Sequence, residues 1–167
     1  LSIVALKLGA KHAVGTDLDP CAITATKENL EVNGVPETSM DVMIGNIITD
    51  KAVQDAVGYE KYDIVVANIL ADVLVPLTPV ILHQLKSGGI YITSGIIDEK
   101  EETVVEAVKA AGLEVVEVTH QNDWVSVTAR KRCTLRRGSY GTYYVGGGDR
   151  CGTSVPLESV SGASKGR

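Results

Sequence analysis

The feature that most constrains this chain is a regular alternation of two periodicities over residues 1–131. Short β-branched runs occur at Ala13–Asp17, Met40–Ile44, 63–67, 90–94, 113–119 and 124–129, and segments of helical spacing lie between them. Strands separated by helices need crossover connections, so the pattern predicts a mostly parallel sheet. Apolar runs such as Ile64-Val65-Val66 fit strands covered on both faces. The last two runs are joined by only a few residues around 121–123, too few for a helical crossover, which predicts an antiparallel hairpin. The expected fold class is α/β with a mixed sheet whose last strand is reversed.

The helices carry their own punctuation. Residues 20–33 begin with Asp19 as N-cap and Pro20 at the first helical position, and stop at Gly34. Ile23, Lys27 and Leu30 form one stripe of this helix. A second helix is expected over about 74–86, its start limited by Pro76 and Pro79 and its end set by Gly88-Gly89. A third spans 98–111, with acidic residues in its first turn and Gly112 just past its end. Residues 1–8 also read as helix.

Composition separates body from tail. An apolar fraction of 44% in 167 residues supports one domain with a modest core and excludes disorder over most of the length. No run approaches 18 apolar residues and nothing resembles a cleaved signal, so the expectation is a cytoplasmic protein with no membrane partner. Cys21, Cys133 and Cys151 lack C-x-x-C spacing, and His12, His83 and His120 lie far apart, so no metal site is expected. Residues 1–131 hold 10 Lys/Arg against 19 Asp/Glu, whereas residues 132–167 hold 6 against 2 and 8 of the 17 glycines. The expected organisation is a body over 1–131 and a basic, Gly/Ser-rich, disordered tail over 132–167. Six dispersed cations make a weak nucleic-acid signal, and none arises in the body.

In open α/β sheets, ligands bind outside the carboxyl ends of the strands. The first run ends in Gly15-Thr16-Asp17-Leu18-Asp19-Pro20. An acid there can accept both hydroxyls of a ribose, and Asp17 is better placed than Asp19, which a helix cap explains. Asp17 can equally be a turn former. The third run ends in Ala67-Asn68-Ile69-Leu70-Ala71-Asp72. Asn68 offers an acceptor and two donors at the mouth of the sheet and suits an amine substrate; an Asx-turn into the following helix is the competing reading. Gly45-Asn46 holds the equivalent place after the second run, where Asn46 could flank an adenine ring.

These residues carry a resemblance. Ala5-Leu6-Lys7-Leu8-Gly9-Ala10, Val14-Gly15-Thr16-Asp17-Leu18-Asp19-Pro20 and Val65-Val66-Ala67-Asn68-Ile69-Leu70-Ala71 together resemble the methyltransferase domain of the PrmA family, which methylates ribosomal protein eleven of the large subunit. Ser94-Gly95-Ile96 and Asp123-Trp124-Val125 also match. The resemblance covers about residues 1–131, and its N-I-L-A tetrapeptide separates the family from relatives with N-P-P-aromatic. The tail from Arg132 resembles nothing in the family.

The resemblance implies a Rossmann-like class I S-adenosylmethionine-dependent methyltransferase fold and S-adenosyl-L-methionine as cofactor. It places the ribose-binding acid on Asp17, and on Asn68 the catalytic Asn near both methyl donor and substrate amine. The implied activity is N-methylation of lysine and N-terminal amino groups of a ribosomal protein. The family's first strand, its glycine-rich loop and its N-terminal recognition domain would precede Leu1, so a truncated domain without full activity is expected. Unpaired sheet edges would then favour self-association. Ala71 stands where base-modifying relatives carry an aromatic, which favours a protein amine over an RNA base. An RNA or small-molecule methyltransferase, or an inactive chain that binds no cofactor, are the alternatives.

Overall fold

A computed structural model describes residues 1–133 of the chain. The expected basic tail falls outside the described residues from position 134 onward. The chain alternates helix and strand as α1 (Ser2–Lys7), β1 (Ala13–Asp17), α2 (Cys21–Val32), β2 (Met40–Ile44), α3 (Lys51–Val57), β3 (Tyr62–Asn68), α4 (Ala71–Gln84), β4 (Leu85–Ile97), α5 (Glu101–Ala110), β5 (Leu113–Gln121) and β6 (Trp124–Lys131). Single 3-10 turns precede β2 and α5.

The strands form two sheets. β1 and β2 pair in parallel, with Asp17 opposite Ile44. The other four run in the order β3-β4-β6-β5, with β3 parallel to β4 and β6 antiparallel to both its neighbours. The reversed strand and the hairpin therefore stand as the sequence spacing requires. Among the described residues, β1 and β3 each keep one edge without a backbone partner.

The core lies between the four-stranded sheet and the helices α4 and α5. Leu74, Leu77 and Ile81 of α4 and Val104 and Val108 of α5 pack on Tyr91, Ile96, Val125, Val127 and Ala129. Ile47 and Ile48, between β2 and α3, join this core and are held by the Gln54 side chain, which donates to both their carbonyls at 2.9 and 3.3 Å. Lys131 closes the far end of α4 by donating to the Leu82 and Leu85 carbonyls at 2.8 and 2.7 Å, where the helix leaves acceptors unpaired.

Several expectations are corrected. α4 begins at Ala71 and runs through both Pro76 and Pro79. An interior proline costs about 3 kcal/mol, but the apolar stripe that α4 buries outweighs it, each such side chain contributing roughly 1.5–3 kcal/mol. Thr78 also donates its hydroxyl to the Leu74 carbonyl at 2.7 Å. Gly88-Gly89 does not end that helix; it lies in β4, where the pairing skips from Leu85 opposite Tyr62 to Ile90 opposite Ile64. The short helix α3, capped by Asp50 through the Ala52 and Val53 amides, has no counterpart in the sequence reading. Nor is β3 covered on both faces: Val65 and Ala67 pack on the core, whereas Ile64 and Val66 remain 58% and 41% exposed. Of the α2 stripe only Leu30 is buried.

Candidate functional site

β3 delivers Asn68 to the rim of the four-stranded sheet. Its side chain is exposed, and its carboxamide makes no hydrogen bond among the described residues. The competing Asx-turn does not form: the residue preceding α4 is Leu70, and no side chain caps that helix. The backbone around Asn68 is nonetheless fixed, because the Ile69 amide donates to the Ser94 carbonyl of β4 at 3.2 Å.

Ser94 and Gly95 form a bulge. Thr93 lies opposite Val127 and Ile96 opposite Val125, so two residues of β4 face Ser126 alone. The bulge is framed by two side-chain bonds. The buried Thr93 hydroxyl donates to the Val127 carbonyl at 3.1 Å, and the Ser126 hydroxyl donates to the Thr93 carbonyl at 2.7 Å. Next to it the β5–β6 hairpin turns through Asn122 at φ +53° and sets Trp124 opposite Gln121.

These elements enclose an open cavity of about 680 Å³, lined by residues 68–70, Ser94, Gly95, Gln121, Asn122 and Trp124. That volume suits a small ligand. Of the residues singled out from the sequence as site candidates, Asn68 is the one that lines this cavity. Trp124, half-exposed, supplies an aromatic wall that strand-end reasoning missed. Its signal was a lone tryptophan in a polar hairpin. Ala71 is buried in the core at the start of α4.

Asp17 and Asn46 do not line this cavity; they close the two-stranded sheet. The Asp17 carboxylate accepts the Asp19 amide at 2.9 Å through Oδ1, and Asp19 accepts the Cys21 amide at 2.8 Å, which caps α2. Asp17 is therefore a turn former, with Oδ2 uncommitted among the described residues. Asn46 accepts the Ile48 amide at 2.9 Å through Oδ1, and its amide group makes no hydrogen bond among the described residues. The structure brings Asp17 and Asn46 together at one rim and sets Asn68 with Trp124 at another.

Other titratable clusters lie away from these rims. On α3, Asp55 accepts hydrogen bonds from Lys51 and Tyr59, which hold its carboxyl below the usual carboxylate range and push the Lys51 ammonium up. His12 pairs with Asp41 at 2.9 Å and His120 with Glu101 at 2.7 Å. Among the described residues, no three His, Cys, Asp or Glu side chains are grouped to hold a metal ion. Nor is any described helix long and apolar enough to cross a membrane.

This architecture has known counterparts. A ribosomal protein L11 methylase from Lactobacillus delbrueckii subsp. bulgaricus superposes with a TM-score of 0.68 at 27% identity, covering 78% of this chain and 63% of that one. A TehB-like SAM-dependent methyltransferase from Corynebacterium glutamicum shares the fold at a TM-score of 0.56 and 13% identity, covering 78% and 86%. In sequence, a ribosomal protein L11 methyltransferase of Agathobacter rectalis is 58% identical over 131 residues, covering 78% of this chain and 41% of the relative. The chain thus spans about two fifths of the length of such relatives. The family model described as ribosomal protein L11 methyltransferase (PrmA) matches residues 1–132, and the chain belongs to that family.

Proposed function

We propose that this chain is the methyl-transferring part of an S-adenosylmethionine-dependent N-methyltransferase that acts on amino groups of a large-subunit ribosomal protein. One observation carries the reading: at the end of β3, Asn68 holds a carboxamide with no partner among the described residues beside an aromatic wall, in a cavity large enough for a small ligand or side chain. A ribosomal-protein substrate would suit a cytoplasmic enzyme.

The donor sets fit the cofactor. Asp17 Oδ2 is free to accept ribose hydroxyls, and the Asn46 amide is free to donate to a ring nitrogen. When bound, S-adenosylmethionine supplies a methyl group on a sulfonium, an electrophile for in-line displacement. The chain's own task is to present a nitrogen with a lone pair. A lysine amine has an unperturbed pKa of about 10.4 and an α-amine about 7.7–8.0, so a Lys must be desolvated to lose its proton. Trp124 excludes water over the aliphatic stem, and the Asn68 carbonyl accepts an N–H of the neutral amine and fixes the direction of its lone pair. Orientation of this kind is worth up to roughly 7–11 kcal/mol.

A second reading, methylation of an RNA base, draws on the same Trp124, since an exposed ring is a stacking platform. The charge of residues 1–131 opposes it: 19 acidic against 10 basic residues repel a polyanion.

The test is calorimetric titration of the chain with S-adenosylmethionine, with Asp17→Ala and Asn68→Ala alongside. Micromolar binding that Asp17→Ala weakens about tenfold or more supports the reading. A folded chain that takes up no cofactor overturns it.

A further inference from the structure

We propose that Gly95 is a positioning residue for the Asn68 carboxamide, because the absence of a side chain at position 95 makes the seat on which Asn68 Oδ1 rests. The role in catalysis rests on the methyltransferase reading above; the seat itself does not.

The geometry is specific. A Cβ built on Gly95 would lie 2.7 Å from Asn68 Oδ1, and 3.2 Å from both the amide nitrogen and the carbonyl oxygen of Ile69. Real Cβ atoms do not approach an oxygen at 2.7 Å, so one partner must move. Gly95 cannot yield easily. It sits at φ +78° inside the bulge, between Thr93 and Ile96, both fully buried and paired to β6. Ile69 cannot yield easily either, since its amide is bonded to the Ser94 carbonyl. The Asn68 side chain is the free party: it is exposed and makes no hydrogen bond among the described residues. A methyl group at position 95 therefore swings the carboxamide off its seat.

The chain supplies its own control. Gly112 also has positive φ, +89°, yet a Cβ there meets nothing within 4 Å. Gly112→Ala bears the same kind of backbone strain without touching Asn68, and separates strain from displacement.

The experiment compares Gly95→Ala, Gly112→Ala, Asn68→Ala and the Gly95→Ala/Asn68→Ala double variant of the full chain. Thermal melting and the Asn68 side-chain amide resonances, assigned by their loss in Asn68→Ala, are read first. We expect Gly95→Ala to lower Tm more than Gly112→Ala, because its Cβ also crowds the Ile69 backbone, and Asn68→Ala to return little of that excess, since the carboxamide moves aside at small cost. The Asn68 resonances should shift in Gly95→Ala and stay in place in Gly112→Ala. If Gly95→Ala does not fold, Gly95→Asn, a residue type that tolerates positive φ better, presents the same Cβ to Asn68 in its place. In methyl transfer from S-adenosylmethionine to ribosomal protein L11, Gly95→Ala should lower kcat about 10- to 100-fold, add nothing to the loss in Asn68→Ala, and leave the cofactor KM nearly unchanged. Asn68 resonances unmoved in folded Gly95→Ala, or additive kcat losses, overturn the proposal. An unsubstituted chain that transfers no methyl, while the resonances and Tm behave as expected, overturns the methyltransferase reading and leaves the seat standing.

Discussion

The Gly45 amide donates to the Asp17 carbonyl at 2.8 Å, so the ends of β1 and β2 that carry Asp17 and Asn46 are bound into one unit. Gly45 is pressed against the helix that follows. A Cβ placed on it would meet Val53 Cγ2 at 2.4 Å, and its φ is +153°. Asp50 and Val53 hold the first turn of α3 there, the former as its cap.

Gly45→Ala should therefore destabilise the chain by about 1–3 kcal/mol, the usual cost of forcing an extra methyl into a packed site. Gly34→Ala, at φ +63° with nothing within 4 Å, should cost about 1–2 kcal/mol from backbone strain alone. Cofactor affinity should fall only in Gly45→Ala, because only that change separates Asp17 from Asn46. Chemical denaturation and calorimetry of both variants check this; equal affinities would remove the proposed role of that rim.

Tyr91 supplies a pH prediction. Burial pushes its phenol above the ordinary value of 10.0, against a smaller opposing influence from the nearby Thr78. The Thr78 hydroxyl donates to the Leu74 carbonyl, and the Tyr91 hydroxyl completes no hydrogen bond among the described residues. A phenol with a raised folded-state pKa holds its full stabilisation below the unfolded value, and loses it as pH climbs from there through the folded value. Melting temperature should hold to about pH 10 and then fall steeply. Tyr91→Phe should blunt that fall, leaving the smaller part due to Tyr62, whose phenol is raised by burial and then by Asp41. At pH 7, Tyr91→Phe should be neutral or stabilising by about 1 kcal/mol, since an unpartnered polar group leaves the core. A large loss at pH 7 would mean that the hydroxyl is bonded in solution.

The sequence revealed what depends on local pattern and concealed what depends on neighbours. All six β-branched runs are strands, because β-branched side chains at strand spacing have few other uses. The exposed face of Ile64 and Val66 was not legible, since coverage is set by what packs against a strand rather than by the strand. Pro76 and Pro79 misdirected the start of α4 because burial of Leu74, Leu77 and Ile81 overrides a local penalty. Asp17, Asn46 and Asn68 were each found at a strand end, as the topology rule directs. That they do not share a cavity follows from the division into two sheets. Gly95 and Trp124 stood in the sequence only as family matches, and their place on the cavity wall was not legible because a bulge and a hairpin register exist only once strands are paired.

The unpaired edges of β1 and β3 lead to a prediction about assembly. β3 runs Tyr62-Asp63-Ile64-Val65-Val66-Ala67-Asn68 without a Lys, Arg or Pro to block edge pairing. The chain should associate in a concentration-dependent manner in sedimentation velocity. Ile64→Lys with Val66→Lys should shift it toward monomer without loss of helix content. A monodisperse monomer at high concentration would dispose of this expectation.

Trp124 gives a direct optical handle, because it is the one tryptophan of the chain and is 52% exposed on the cavity wall. If the cavity takes a lysine side chain, the ring covers its methylenes and, on approach, its ammonium, an attraction of about 0.5–2 kcal/mol. Trp124→Ala should then raise KM for the protein substrate about 3- to 30-fold, the ratio that follows from that energy. Trp124→Phe, which keeps a ring, should recover most of the loss. The Asp17 rim is separate, so cofactor affinity should change little in either variant. Titration of the unsubstituted chain with a lysine-containing substrate peptide should alter the tryptophan emission, whereas a peptide with norleucine in place of that lysine should do so more weakly, as it supplies the methylenes without the charge. Identical responses would assign Trp124 a purely apolar role and leave selection of the amine to Asn68.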